Sequence, residues 1–430
     1  MEGTYYSSYI NPHGKAILVE GETNSKGELL VVVDGMQSGA ILECYSGEGP
    51  DTVFRNLILT NGSSYYGGGM TLFDGSSPTV ENCIFRSNTG TIEGGAIYLL
   101  ENCNPTIVNC HFEDNIANGP GGGMFCMENS SPTLTDCTFT NNTAHSGGGM
   151  YNNDSSPTLT DCTFKSNTAK DGGGMFNSYS SPTLTDCTFE DNIASDSGGG
   201  MCNSESNPTL ENCTFANNTA AVGGGMCSFA HSSPTMTECA FTGNTGLYAG
   251  GGMYSFGTSA PVLANCTFTG NAAGEFAGGG MYNYGNSPTL TNCTFTNNNA
   301  AEYGGGMYNS NSDNLTLTAC VLTKNNCLIS GGGIRNFQCV PLFVETRVCG
   351  NSPNQVDGDF TDGGGNTIAD QCPPDCPDIN GDGYVNVTDL LAVIAAWGID
   401  CDGCPEDVNN DANVNVTDLL IVIGNWGPCE

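Results

Sequence analysis

An all-β shaft of stacked parallel coils, ending in a small α-helical module with two oxygen-rich loops of EF-hand type, is the architecture that this 430-residue sequence predicts. Three observations carry it. One unit recurs through most of the chain with little change, a cysteine column repeats in phase with that unit, and two copies of an Asp/Asn-spaced loop lie near the C-terminus.

The repeat comes first. The unit is clearest from Ser131 to Asn152, and its Gly-Gly-Gly-Met corner returns at Met70, Met124, Met150, Met175, Met201, Met226, Met253, Met281 and Met307, with Ile97 and Ile334 standing in for Met. Steps vary from 25 residues (Met150 to Met175) to 28 (Met253 to Met281), so insertions fall in one loop of an otherwise fixed coil. Cys83, Cys110, Cys137, Cys162, Cys187, Cys213, Cys239, Cys266, Cys293 and Cys320 keep the same phase. Two residues after each stands a large apolar side chain, from Phe85 to Leu322, which the pleat of a strand puts on the same side as the cysteine. Leu134, Leu159 and Leu184 precede their cysteines by three positions, which breaks period two and predicts a bend. Asn82, Asn109, Asp136, Asp161 and Asp186 occupy that bend and tolerate left-handed backbone. A second asparagine column runs from Asn88 to Asn244.

Each coil therefore reads as three short strands, through Gly-Gly-Met-Tyr-Asn, Pro-Thr-Leu-Thr and Cys-Thr-Phe, joined by three corners. No segment has the 3.6-residue period of a helical solenoid. A single coil cannot bury its apolar side, whereas a stack buries columns of Met, Leu and Cys plus Phe. Extending the phase to Leu57 before Cys83 and to Thr346 after Cys320 gives twelve coils. Crossover sterics favour a right-handed path.

Composition shifts at Cys372, which divides the chain into residues 1–371 and 372–430. In the second part, Asp378, Asn380, Asp382, Tyr384, Asn386 and Asp389 are followed by Asp407, Asn409, Asp411, Asn413, Asn415 and Asp418. Each set falls at loop positions 1, 3, 5, 7, 9 and 12, with a backbone carbonyl serving at 7, the spacing that wraps calcium in oxygen. Ala412 takes the turn position where the first loop has Gly383, which predicts a weaker second site. The runs ending at Trp397 and Trp426 predict short helices whose apolar faces pack on each other, capped by Gly398 and Gly427. Cys372, Cys376, Cys401, Cys404 and Cys429 either staple this module or, through the CxxC at Cys401 and Cys404, hold zinc.

On the triple-glycine corners and the asparagine columns, residues 1–371 resemble the right-handed parallel β-helix superfamily, which includes pectate lyases. The repeats also resemble those of polymorphic outer-membrane proteins of chlamydiae and of large planctomycete surface proteins. Residues 376–427, two loops each with an exiting helix, resemble a type I dockerin. These resemblances imply calcium as cofactor, a cohesin-like or cell-envelope partner for the module, and a polysaccharide for the shaft. The module lacks the Lys and Arg that cohesin-binding dockerin helices usually carry.

Charge narrows the function. Nine Lys+Arg stand against 45 Asp+Glu, a net charge of −36, which repels nucleic acid and anionic lipid. No run reaches the roughly 18 apolar residues of a membrane span. The first residues lack the basic start and apolar run of a signal peptide and read as the second part of a coil, yet cysteine content and acidity point to a secreted or cell-surface protein. No catalytic residue is assigned. His13, His111, His145 and His231 fall at unrelated coil positions, and only Arg86, Lys165 and Lys170 are cationic between Gly67 and Cys320. The carboxylate pairs Glu113–Asp114 and Glu190–Asp191 sit at a variable outer position.

The residue after each Met points outward. Tyr98, Phe125, Tyr151, Phe176, Tyr254, Tyr282 and Tyr308 are thus predicted as an exposed aromatic ladder that stacks on sugar rings or meets a partner, with cross-strand stabilisation as its structural role. Cys202 and Cys227 hold the same position on successive coils and are predicted as an accessible disulfide, or at least a bridgeable pair, while the inward column stays as thiols. The reading is a non-catalytic scaffold or adhesion protein with a calcium-dependent attachment module. Its alternative is a polysaccharide lyase or glycoside hydrolase, which a groove with clustered carboxylates and one Arg or Lys would favour.

Overall fold

The computed structural model describes residues 3–6, 9–312, 314–372, 379–380, 384–398, 404–408, 413–424 and 426–428. It divides into two compact units, Met1–Ile368 and Ala369–Glu430.

The first unit is a parallel β-solenoid. Among the described residues, the Cys–Phe segments form a 15-stranded sheet, the Leu segments one of 14 strands and the Met segments one of 13. The solenoid thus has about fourteen turns rather than twelve. The extra turns lie at the ends, where strands such as Val31–Asp34 and Thr367–Ala369 join the sheets by backbone pairing without carrying the repeat signature.

Register follows the columns. Phe85 pairs with Phe112, Leu134 with Leu159 and Met150 with Met175. From Phe85 to Phe295 the phenylalanine rings form an unbroken stack, with centroids 4.4 to 5.1 Å apart. The ten predicted inward cysteines are free thiols and buried. Burial, and next the neighbouring Cys83, pushes the Cys110 thiol far above its ordinary value, and the column packs in the core between the Phe, Leu and Met columns. The bend residues Asn82, Asn109, Asp136, Asp161 and Asp186 take φ between 49° and 55°.

The second asparagine column is a hydrogen-bonded ladder inside the coil. Asn192 Nδ2 donates to the Phe164 carbonyl (2.8 Å) and to Asn218 Oδ1 (3.0 Å). Its own Oδ1 accepts from the backbone N–H and the Nδ2 of Asn167, both at 3.0 Å. The same pattern extends past Asn244 to Asn351.

Each central coil also has a fourth strand, which corrects the three-strand reading. Between the asparagine ladder and the glycines, Thr168–Asp171, Ile193–Ser197, Thr219–Val222 and Thr245–Ala249 belong to a seven-stranded arm sheet. Nearer the N-terminus, Ser63–Tyr66, Thr89–Glu93 and Ile116–Ala117 form a three-stranded one. The glycines make the arm fold back. Gly198 has φ of 64°, and a Cβ there would collide with the Met201 carbonyl and come within 2.7 Å of Cys202 Cβ. The arm therefore lies close over the outward face of the Met sheet.

The second unit holds α1 (Val387–Ala395) and α2 (Val416–Gly424), with Tyr384–Val385 pairing antiparallel to Gly427–Pro428. Gly427 is thus a strand residue and not the predicted cap. Val385, Val393, Val408, Val414 and Val422 make the core. The two helices pack on each other as predicted, through Val393 and Val422 with Leu390 and Leu419 beside them, but only along a narrow stripe. Each nine-residue helix turns one valine fully inward, while Val387, Leu391, Ile394 and Trp397 on the first, and Val416, Leu420, Ile423 and Trp426 on or just past the second, stay exposed. Cys372 and Cys404 are in disulfides, as is Cys349 of the shaft, so Cys404 has no thiolate to give to zinc. Among the described residues no helix is long and apolar enough to cross a membrane.

Candidate functional site: a hollow where the arm meets the Met sheet

The predicted ladder keeps its register, from Tyr98 opposite Phe125 through Cys202 opposite Cys227 to Tyr282 opposite Tyr308. Its rings stack in two runs, Tyr98 to Phe176 and Tyr254 to Tyr308, with centroids 4.9 to 5.4 Å apart. Its exposure is corrected. Tyr98 is 4% exposed and Tyr282 8%, Phe125 and Tyr308 are also buried, and Tyr151, Phe176 and Tyr254 are half-buried. The arm covers them, and residues such as Ala249 and Ala277 close a small second core over Tyr282 and Tyr308. Burial pushes the Tyr254 hydroxyl up to about 12, with Cys227 adding to the effect.

Cys202 and Cys227 are stacked neighbours as the register requires. The predicted disulfide is not formed: both are free thiols, and buried instead of accessible. Burial, then the adjacent Cys227 thiol, raises Cys202 well above its ordinary value.

Two small thiols between two runs of rings leave space. An open hollow of about 650 Å³ lies there, with Ser197 and Val222 of the arm, Cys227, and the rings of Phe229, Tyr254 and Phe256 in its lining. At its mouth His231 and Thr258 share a hydrogen bond through Nδ1 and Oγ1. Phe256 is 45% exposed and stacks on Tyr284, 39% exposed, with centroids 5.2 Å apart and planes 10° off parallel. These rings occupy the second outward position of the Met strand, two residues past the predicted ladder. Strand alternation was the signal for them: in Met-Tyr-Ser-Phe and Met-Tyr-Asn-Tyr the fourth residue shares a face with the second.

Charge stands beside the hollow and not in it. Ser197 Oγ donates to Asp171 Oδ1 at 2.6 Å, and Lys170 Nζ lies 3.1 Å from Asp196 and 3.9 Å from Asp171. The hydrogen bond to Asp196, then Asp171, raises Lys170 above the ordinary lysine range, so it stays protonated and is a poor base. Lys165 is raised in the same way by Glu190. The carboxylates Glu113 and Glu190 are occupied by ion pairs with Arg86 (2.9 Å) and Lys165 (2.8 Å).

In the C-terminal unit, Asp378, Asp382, Asn409 and Asp411 lie outside the described residues. Asp389 is fully buried; its Oδ1 accepts from the backbone of Ile379 (2.8 Å) and Asn380 (3.2 Å), and its Oδ2 from Asn386 (2.9 Å). Burial would raise this carboxyl, but the amides of Asn386, Asn380 and Ile379 outweigh burial and hold it below the ordinary range. Asp407 and Asp418 are buried too, and Asp418 accepts from the Asn415 backbone at 2.8 Å. Asn386 and Asn415 act as N-caps, each accepting a backbone N–H two residues on at 2.8 Å. Asn380 Nδ2 donates to Thr388 Oγ1, Tyr384 lies on the short strand and Asn413 is exposed. Asp389, Asp407 and Asp418 are thus buried in a segment without Lys or Arg, while no group of three or more His, Cys, Asp or Glu placed to hold a metal ion occurs among the described residues.

No curated protein matches this sequence. Among solved structures, the chain is similar to a mannuronic acid specific polysaccharide family 6 lyase from human gut microbiota, at 11% identity over 80% of this chain and 79% of that one, with a TM-score of 0.41. It is similar to the Dettilon tailspike protein gp208 at 10% identity, covering 70% of this chain and 63% of that one, TM-score 0.35. It is also similar to tailspike protein gp49 of Acinetobacter baumannii bacteriophage Fri1, a capsular polysaccharide depolymerase, at 13% identity over 74% and 57%, TM-score 0.32. The chain thus spans less than two thirds of either tailspike. The family model described as right handed beta helix region matches residues 6–156, 143–251 and 220–344. Stacked parallel coils, inward columns and this match together make the chain a member of the right-handed β-helix family.

Proposed function

We propose that this is a secreted or cell-surface protein whose shaft engages a polysaccharide at the hollow beside Cys227. The observation that carries the reading is the hollow itself, an open apolar recess walled by Phe229, Tyr254 and Phe256 and continued by Tyr284 on the next coil. Flat aromatic faces on successive coils suit the apolar faces of sugar rings, and a recess with few polar groups is the usual form of a ligand site. The activities named for the similar proteins belong to those proteins. They lie nearer the catalytic alternative than a scaffold without a carbohydrate ligand.

Turnover is the second reading, favoured by Asp171 and Asp196 close to Ser197 at the hollow's edge. With Lys170 held protonated, such chemistry is hydrolysis between carboxylates and not elimination by a lysine base. Incubating the full chain with a polysaccharide panel tests both readings. Binding that Phe256→Ala abolishes supports the site. New reducing ends lost in Asp196→Asn establish hydrolysis, and an ultraviolet-absorbing unsaturated product would show elimination instead. Binding unaffected by Phe256→Ala would refute the site.

For the C-terminal unit the reading is calcium-dependent attachment to a cohesin-like or cell-envelope partner. Asp389 would close the first calcium loop and Asp407 with Asp418 the second, and the bound ion would offset their buried charge. The exposed rows around Leu391 and Leu420 give the module an apolar face to attach with. Calcium titrated into the full chain is expected to fill two sites, the second weaker because of Ala412, with a gain of helix that a chelator reverses. Titration heat that persists unchanged when Asp389 and Asp418 are both replaced by Asn would place the ions elsewhere.

A further inference from the structure

We infer that the hollow selects an uncharged glycan and turns away polyuronates, an inference that rests on reading the hollow as a sugar site. The lining offers three aromatic faces, the hydroxyls of Ser197 and Thr258, and His231. It contains no Lys, Arg, Asp or Glu. A uronate carboxylate seated there would lose water without gaining a charged partner, which is costly.

Nothing near the hollow is free to supply that partner. Between Gly67 and Cys320 the sequence has three Lys or Arg residues. Each is committed: Arg86 to Glu113, Lys165 to Glu190, and Lys170 to Asp196 and Asp171. A bridging cation has no seat either, because no group of three or more His, Cys, Asp or Glu placed to hold one occurs among the described residues. At longer range, a net charge of −36 repels a polyanion before contact. A neutral pyranose chain meets none of these costs. Its apolar ring faces match Phe256 and Tyr284, which form a near-flat platform 5.2 Å from centroid to centroid along the stack of coils. Its hydroxyl edges match the Ser, Thr and His groups at the rim.

The test is affinity electrophoresis of the full chain through gels containing a neutral glucan or mannan, a polyuronate such as alginate or polygalacturonate, or the polycation chitosan. Each is run at low salt and at roughly 0.5 M, where the screening length falls to a few ångströms. The expected result is retardation by a neutral polymer, changed less than about twofold by salt and weakened about tenfold by Phe256→Ala. Tyr284→Ala is the second variant; both rings are partly exposed, so neither change opens the core. Polyuronates are expected to leave mobility unchanged at both salt concentrations. Retardation by a polyuronate that either variant abolishes would overturn the selectivity while upholding the sugar site. Chitosan binding that exceeds neutral binding and depends on Phe256 would overturn it equally. Absence of retardation by all three classes would remove the sugar site and this inference together.

Discussion

Replacing Asn192 by alanine is expected to destabilise the central shaft by about 2–6 kcal/mol, because the Asn167 backbone N–H and the Phe164 carbonyl both lose the Asn192 side chain and each such loss costs about 1–3 kcal/mol when buried. The Phe164 carbonyl loses the Asn192 side-chain donor and the Asn167 backbone N–H loses its acceptor, whereas Asn218 Oδ1 loses one donor but keeps the Asn192 backbone N–H. Asn167 Nδ2 loses an acceptor as well but keeps the Phe139 carbonyl. Water does not reach the site, since Asn192 and its neighbours Asn167 and Asn218 are fully buried. The orphaned N–H weighs most, because acceptors tolerate neglect better than donors. Asn192→Asp separates the contributions: it keeps the acceptor and puts a negative charge against the Phe164 carbonyl, so it is expected to cost at least as much as alanine at neutral pH. Denaturant unfolding, with hydrogen exchange at the Asn167 amide, reads both variants against Thr183→Ala on the exposed face, which is expected to stay within about 0.5 kcal/mol of the parent. A loss below about 1 kcal/mol for Asn192→Ala would show that the ladder is relaxed or hydrated.

Most of the shaft was legible because its columns lie at fixed spacings. Cys and Phe two apart share one face of a strand, the Asn or Asp before the Cys marks a left-handed bend, and both statements hold coil after coil. The arm was not legible for the opposite reason. It is the stretch whose length varies between coils, its strands are two to five residues long, and Thr-Ala-Lys-Asp or Ile-Ala-Ser-Asp-Ser carries no strong pattern. Missing it displaced the ligand surface. Tyr98 and Tyr282 point outward from the Met sheet as expected, yet the arm lies over them, while Phe256 and Tyr284 two residues on escape it. The hollow follows from Cys202 and Cys227 being smaller than the rings on either side, which was readable as a gap in the ladder once something is known to roof it. In the C-terminal unit, Asn386 with Asp389 satisfies two patterns at once, because the spacing of loop positions 9 and 12 is also that of a capping box. Spacing alone does not separate the two roles.

Phe189→Ala, in the middle of the ring stack, is expected to cost about 3–5 kcal/mol, whereas Thr188→Ala one residue earlier is expected to cost under about 1 kcal/mol. Phe189 is fully buried and stacked at 4.8 Å on both Phe164 and Phe215. Thr188 is half-buried on the outward side of the same strand. Removing the ring takes away its burial and two stacking contacts, and leaves a cavity. The depth of the loss depends on whether neighbours collapse into that cavity, and here the backbone prevents it. Thr188 N–H donates to the Cys162 carbonyl and Thr214 N–H to the Cys187 carbonyl, both at 2.9 Å, which holds the coils above and below at strand spacing. Phe164 and Phe215 are further tied to their own neighbours in the stack, Phe139 and Phe241. The upper half of the range is therefore expected, and Phe189→Leu, which refills most of the volume, should recover more than half of it. Unfolding midpoints at unchanged denaturant slope are the measurement. Equal losses for Phe189→Ala and Thr188→Ala would mean that the strand presents its faces the other way, and the inward columns on which the whole coil is built would fall with it.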